Sequence, residues 1–125
     1  MSVTNNREHH YRNLRDRYTN CTYVDGNLEL TWLQDDNVDL SFLKHIREVT
    51  GYVFISHVDV PTLQLPSLEI IRGRTLFNVN AKDTDFSLIV INSKMHNLEL
   101  PALRGKRRVH SNYFLDRKFQ PALIF

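Results

Sequence analysis

A phrase that recurs at a fixed distance constrains the fold of this chain more than any other feature. "TLQLPSLEIIRG" (Thr62–Gly73) is echoed by "NLELPALRG" (Asn97–Gly105), aligning Leu63 with Leu98, Leu65 with Leu100, Pro66 with Pro101 and Leu68 with Leu103 at a constant offset of 35 residues. A weaker third copy, "NLELT" at Asn27–Thr31, sets Leu28 and Leu30 another 35 residues upstream, with Thr31 where the later copies have proline. Between them "DLSFLKHIREVTGY" repeats the second half of the phrase, with Leu40, Leu43 and Ile46 spaced like Leu65, Leu68 and Ile71. A unit of this size cannot bury its apolar face alone, so units must stack, and the uneven spacing implies loops of different size leaving the stack.

Local patterning says what the stacked units are. "YVDGNLELTWL" alternates apolar and polar residues around Asp25-Gly26, so short strands flank a tight turn. "NLEL", "YVFISHV", "RTLFNV" and "FSLIVI" are rich in Val, Ile, Leu and Phe and read as strands. "DLSFLKHIREVT" spaces its apolar residues by three and stops before Gly51, which fits a short helical turn. The expected fold is a β-solenoid: a right-handed single-stranded β-helix, leucine-rich-repeat-like, with short helical turns and ladders of Leu and Ile inside. Each buried Leu or Ile would contribute roughly 1.5–3 kcal/mol.

With 125 residues the chain has room for one domain. No apolar run approaches the roughly 20 residues of a membrane span, and "MSVTNNREHH" lacks the apolar core of a signal peptide. As written, such a chain is expected to stay in the cytosol. The net charge of +2 hides a segregation: residues 1–20 and 104–125 are basic, while 21–103 carry 11 Asp and Glu against six Lys and Arg. The expected division is a lead-in over 1–20, partly helical or irregular, a repeat domain over 21–104, and a disordered or artefactual basic tail over 105–125.

Catalysis finds no candidate residues, for there is no Gly-rich phosphate loop, G-x-S-x-G elbow or H-E-x-x-H run. The six His show no metal-ligand spacing, so neither metal nor cofactor is expected. "KRR" at Lys106–Arg108 has no aromatic platform beside it and reads as a solvated basic segment, not a nucleic-acid patch. Cys21 stands alone, so the chain offers no internal disulfide, and Asn20-Cys21-Thr22 has the form of an N-glycosylation acceptor. Trp32-Leu33, His57-Val58 and Asn78-Val79 each place one residue before an aliphatic; if the aliphatics point inward, Trp32, His57 and Asn78 point outward on one sheet. From the residues alone, Trp32 belongs either to a binding surface or to a loosely ordered interior.

The ordered blocks "NC…GNLE", "DLSFL…I.EV.GYV.I" and "L.IIRG", within Tyr18–Phe77, closely resemble the first extracellular L domain of the epidermal growth factor receptor family, in insect-like wording. The resemblance runs from about Arg7 through Arg104. It implies an incomplete receptor L domain, a β-helix outside the cell that binds a growth-factor-like protein ligand. It also implies a plasma-membrane receptor whose tyrosine kinase, membrane span and dimer-forming parts lie outside this chain. The family pairs the position of Cys21 with an upstream cysteine, which this chain lacks. The family's ligand-contacting sheet uses the positions matched by Trp32, His57 and Asn78, with Ile91 and Asn92 less securely aligned, and this favours the binding-surface reading of Trp32. The alternative is a free-standing L-domain protein acting as a decoy or interaction module.

Overall fold

The computed structural model describes residues 3–34, 38–78, 85–104, 113–115 and 122–124. Helix α1 (Val3–Tyr18) comes first, followed by β1 (Tyr23–Val24), β2 (Leu28–Leu33), β3 (Glu48–Val49), β4 (Val53–Val58), β5 (Thr62–Gln64) and β6 (Ile70–Ile71). Then come β7 (Phe77–Asn78), β8 (Asp85–Phe86), β9 (Leu88–Ile91), β10 (Asn97–Glu99), β11 (Tyr113–Leu115) and β12 (Ala122–Ile124).

Helix α1 ends where Asn20 takes a left-handed conformation, φ 62°, which Asn tolerates better than most residues. Arg15 and Arg17 occupy its last turn, where cations complement the helix dipole. Leu14 and Tyr18, four residues apart and so on one face, are buried and seat the helix on the core. One turn earlier Tyr11 meets Phe42 edge to face, ring centroids 6.0 Å apart, and its hydroxyl donates to the Asp39 carbonyl at 2.6 Å.

Three sheets are parallel. β1, β3 and β6 align Val24, Val49 and Ile71 inward. β2, β4, β9 and β11 align Leu28, Val53, Leu88 and Tyr113. β5, β10 and β12 align Leu63, Leu98 and Leu123. The fourth sheet is an antiparallel pair, β7 with β8. Leu28, Leu30, Ile55, Leu63, Leu65, Leu68, Leu98 and Leu100 are fully enclosed among the sheets.

The leucine phrase becomes a strand followed by a turn. L-x-L puts alternate leucines inward; L-x-x-L then closes an i→i+3 turn, with Leu43 N–H donating to Leu40 O, Leu68 to Leu65 O and Leu103 to Leu100 O at 3.1, 3.3 and 3.2 Å. Pro66 and Pro101 stand second in their turns, where a fixed φ near −65° fits. Leu28 pairs with Val53, 25 residues on, whereas Val53 pairs with Leu88, 35 residues on. The β7–β8 pair lies within the longer interval and accounts for the uneven repeat.

The β-solenoid expectation, a right-handed single-stranded β-helix, is corrected by this arrangement. The described residues form small separate sheets of strands two to six residues long plus one α-helix, with no closed or solenoid sheet. Tight turns at Gly26, Leu40–Leu43 and Leu65–Leu68 cut the strands short, and a repeat of leucines does not report those interruptions. The third copy is corrected too. "NLELT" does not join the sheet of Leu63 and Leu98 but pairs with β4, because L-x-L fits any strand with one buried face. The helical turn expected over "DLSFLKHIREVT" shrinks to a 3-10 turn at Ser41–Leu43, and Glu48–Val49 is a strand. Residues 105–125 contribute β11 and β12, so two strands lie beyond the boundary expected near Arg104.

Gly51 is fixed by close packing. Its N–H donates to Gly26 O at 2.8 Å, and a Cβ there would sit 1.9 Å from Asn27 Oδ1, the atom that accepts Tyr52 N–H at 3.0 Å. On the sheet of β1, β3 and β6, Arg72 grips both carboxylate oxygens of Glu48 at 3.0 and 3.1 Å, and Arg47 meets Glu69 at 3.3 Å. The bonds from Arg72 hold the Glu48 carboxyl below its ordinary value.

Candidate functional site

The outer face of β2, β4 and β9 is built in rows by strand register. Glu29, Phe54 and Ile89 form one row, and Thr31, Ser56 and Ile91 the next. Strict alternation from the buried Leu30 would then bury Trp32. Instead Trp32, His57 and Asn92 each adopt a left-handed backbone, φ 57°, 56° and 51°, and the following residues, Leu33, Val58 and Ser93, are the buried ones. One left-handed residue at the same level of three neighbouring strands adds a residue to each strand and turns that residue outward. For an L-residue this costs roughly 1–2 kcal/mol apiece, so the surrounding structure must hold it.

Two ties hold it. Val58 N–H donates to Ser93 Oγ at 3.1 Å, and Ser93 Oγ donates to Ile91 O at 3.0 Å, linking β4 to the end of β9. At the other edge, His10 of α1 places Nε2 2.5 Å from the Thr31 carbonyl, beside Trp32.

Trp32 is 56% exposed and lies flat on His57, ring centroids 3.9 Å apart and planes 10° apart. His57 Nδ1 is 2.6 Å from Ser56 Oγ. Ser56 is only 4% exposed, so this contact orients the ring and does not present a nucleophile to a substrate. The result is an aromatic shelf on the outer face of a sheet, suited to contact with another macromolecule. Among the described residues no group of three His, Cys, Asp or Glu is placed to hold a metal ion, and no helix is long and apolar enough to cross a membrane.

The structure brings together Trp32, His57 and Asn92 from the expected set, with half-buried Ile91 next to Asn92. Asn78 needs correction. It is not on the sheet of Trp32 and His57 but in β7, opposite Asp85, and Val79 lies outside the described residues. The "RTLFNV" strand is short and turns back on β8, so it never joins the parallel sheet. Its neighbour Phe77 nevertheless stacks on Phe54 of β4, centroids 4.8 Å and planes 23° apart, and Tyr52 meets Phe77 edge-on at 5.4 Å. The β7–β8 pair is thereby pinned to the same outer face.

Phe54, Phe77 and Tyr52 were absent from the expected set. The alternating aromatics of "YVF" were the available signal, since residues two apart on a strand share a face. Burial, and then the Glu29 charge, raise the Tyr52 hydroxyl above its ordinary value. Asn20 and Thr22 are exposed in the turn after α1, and Cys21 is half-buried with its thiol 3.3 Å from the Tyr23 carbonyl.

The chain matches the Receptor L domain family over residues 20–118. It is 60% identical over 119 residues to the epidermal growth factor receptor of Drosophila melanogaster, covering 92% of this chain and 8% of that receptor. It is 39% identical over 94 residues to the melanoma receptor tyrosine-protein kinase of Xiphophorus maculatus, covering 75% of this chain and 8% of the relative. It is also 47% identical over 77 residues to human receptor tyrosine-protein kinase erbB-4, covering 62% of this chain and 6% of the relative. The chain thus spans less than a tenth of the length of these relatives, and the matched portion is the L domain, not the kinase. Its parallel sheets, its leucine turns and its matches together establish that the chain belongs to the Receptor L domain family, in the epidermal growth factor receptor branch.

Proposed function

We propose that this chain is a ligand-binding L domain of an epidermal-growth-factor-receptor-like tyrosine kinase, facing the outside of the cell and contacting a growth-factor-like protein. The observation that carries this reading is the exposed Trp32 lying on His57, with both residues fixed in left-handed backbone. A Trp at 56% exposure on an ordered strand leaves a large apolar surface in water unless a partner covers it. Asn92, Ile91 and the aromatic pair Phe54–Phe77 extend that surface along the outer face. Dimerisation of the receptor belongs to parts beyond this chain.

The test is a titration of an epidermal-growth-factor-like ligand against the receptor's extracellular region with and without Trp32→Ala. Loss of a central interface Trp commonly costs more than about 2 kcal/mol of binding, a weakening of roughly 30-fold or more. Unchanged affinity in a variant that still folds would remove Trp32 and its face from the binding surface.

A further inference from the structure

We propose that His10 is a positioning residue for the Trp32 surface: its ring stands in for the neighbouring strand that β2 lacks and fixes the turn that lays Trp32 on His57. Successive residues of a strand aim their backbone groups at opposite edges. Leu28 N–H donates to Tyr52 O at 2.9 Å on the β4 side, so Thr31, three residues on, aims its carbonyl at the other edge. Leu33 should do the same by alternation, yet its carbonyl accepts Asp59 N–H at 2.8 Å on the β4 side. The left-handed Trp32 is what reverses the backbone between them. Its turn is therefore set by two carbonyls held in opposite directions.

β4 has a strand on each side, whereas among the described residues β2 is the outermost strand of its sheet. On that edge the Thr31 carbonyl meets α1 instead of a strand, with His10 Nε2 2.5 Å away. A carbonyl only accepts, so Nε2 carries the proton. Helix spacing brings the ring there: His10, Leu14 and Tyr18 recur every four residues and share one face. Leu14 and Tyr18 are buried, and His10 is half-buried where that face reaches the strand edge. An apolar residue at this position would still seat the helix but would leave the Thr31 carbonyl without its donor.

The test uses the chain's sole tryptophan, whose emission reads position 32 alone. His57→Ala should change Trp32 emission in the wild type, because the two rings are stacked. The same substitution should change it several-fold less in His10→Leu, which keeps bulk and removes the donor. The full change should return in His10→Gln, whose amide nitrogen reaches where Nε2 does. Circular dichroism checks that each variant is folded, and His10→Asn, whose amide stops short of that point, replaces His10→Leu if the latter does not fold. No change in the wild type, a full change in the donor-less variant, or its loss in folded His10→Gln overturns the role. The inference rests on the proposed ligand reading in one further arm only. In the receptor's extracellular region His10→Leu should weaken an epidermal-growth-factor-like ligand roughly 2- to 12-fold, the worth of one hydrogen bond, and should add nothing to Trp32→Ala. A lost stack with unchanged affinity would overturn the Trp32 binding surface and uphold the positioning role.

Discussion

Replacing Trp32 by glycine and by alanine in parallel isolates the backbone from the side chain. Both variants lose the stack on His57 and the same indole contacts, so those losses cancel in the comparison. What remains is φ 57°, which alanine adopts at a cost of roughly 1–2 kcal/mol and glycine adopts freely. Glycine gives back about 0.5–1 kcal/mol because its unfolded chain is freer. Trp32→Gly should therefore be the more stable of the two by about 0.5–1 kcal/mol, or roughly 2–5 °C in Tm for a chain of this size. The same pair at Phe54, on β4 with ordinary negative φ, should show the opposite order, with alanine ahead. Thermal melts followed by circular dichroism read all four variants. If Trp32→Gly melts below Trp32→Ala, the left-handed conformation is not maintained in solution and the account of how the shelf is held is wrong.

Gly51→Ala must expel the Asn27 carboxamide, 1.9 Å from the new Cβ, and leave Tyr52 N–H unpaired, for a loss of about 1–3 kcal/mol. Combined with Asn27→Ala the loss should be clearly less than additive in denaturant unfolding, and full additivity would exclude the shared cause. The Glu48 carboxyl is held below its ordinary 4.5 chiefly by its bonds from Arg72, so its contribution is present above about that pH and lost as pH falls through the lowered folded value. Glu48→Gln should flatten that acid limb of the Tm curve; an unchanged limb would assign it to other carboxylates.

What could be read from the sequence followed physical period. The pairing of Leu63 with Leu98 is the 35-residue repeat itself, and the turns at Leu65 and Leu100 are written in Leu-Pro-x-Leu. The overall class was misjudged because apolar ladders record which residues are inside, not where turns interrupt the sheets. Trp32 was expected outward by simple alternation from Leu33, yet Leu30 is buried as well, and only a left-handed residue reconciles the two. No sequence signal announces that, since tryptophan is not a residue associated with positive φ. Asn78 was misplaced for a related reason: "FNV" has the pattern of a sheet strand, but a pattern of apolar residues does not say which strand it pairs with, and Phe77–Asn78 pairs with β8.

The placement of the β7–β8 pair has a consequence for how such a domain diversifies. The 25-residue spacing seen between β2 and β4 returns between β9 and β11, so the scaffold resumes its count after the excursion. Changes of length confined to that excursion leave every parallel register intact, while Phe77 on Phe54 keeps its base anchored to the exposed face. The domain thus carries an exchangeable cassette whose wording can drift, or be redesigned by grafting, without asking the leucine interior to repack.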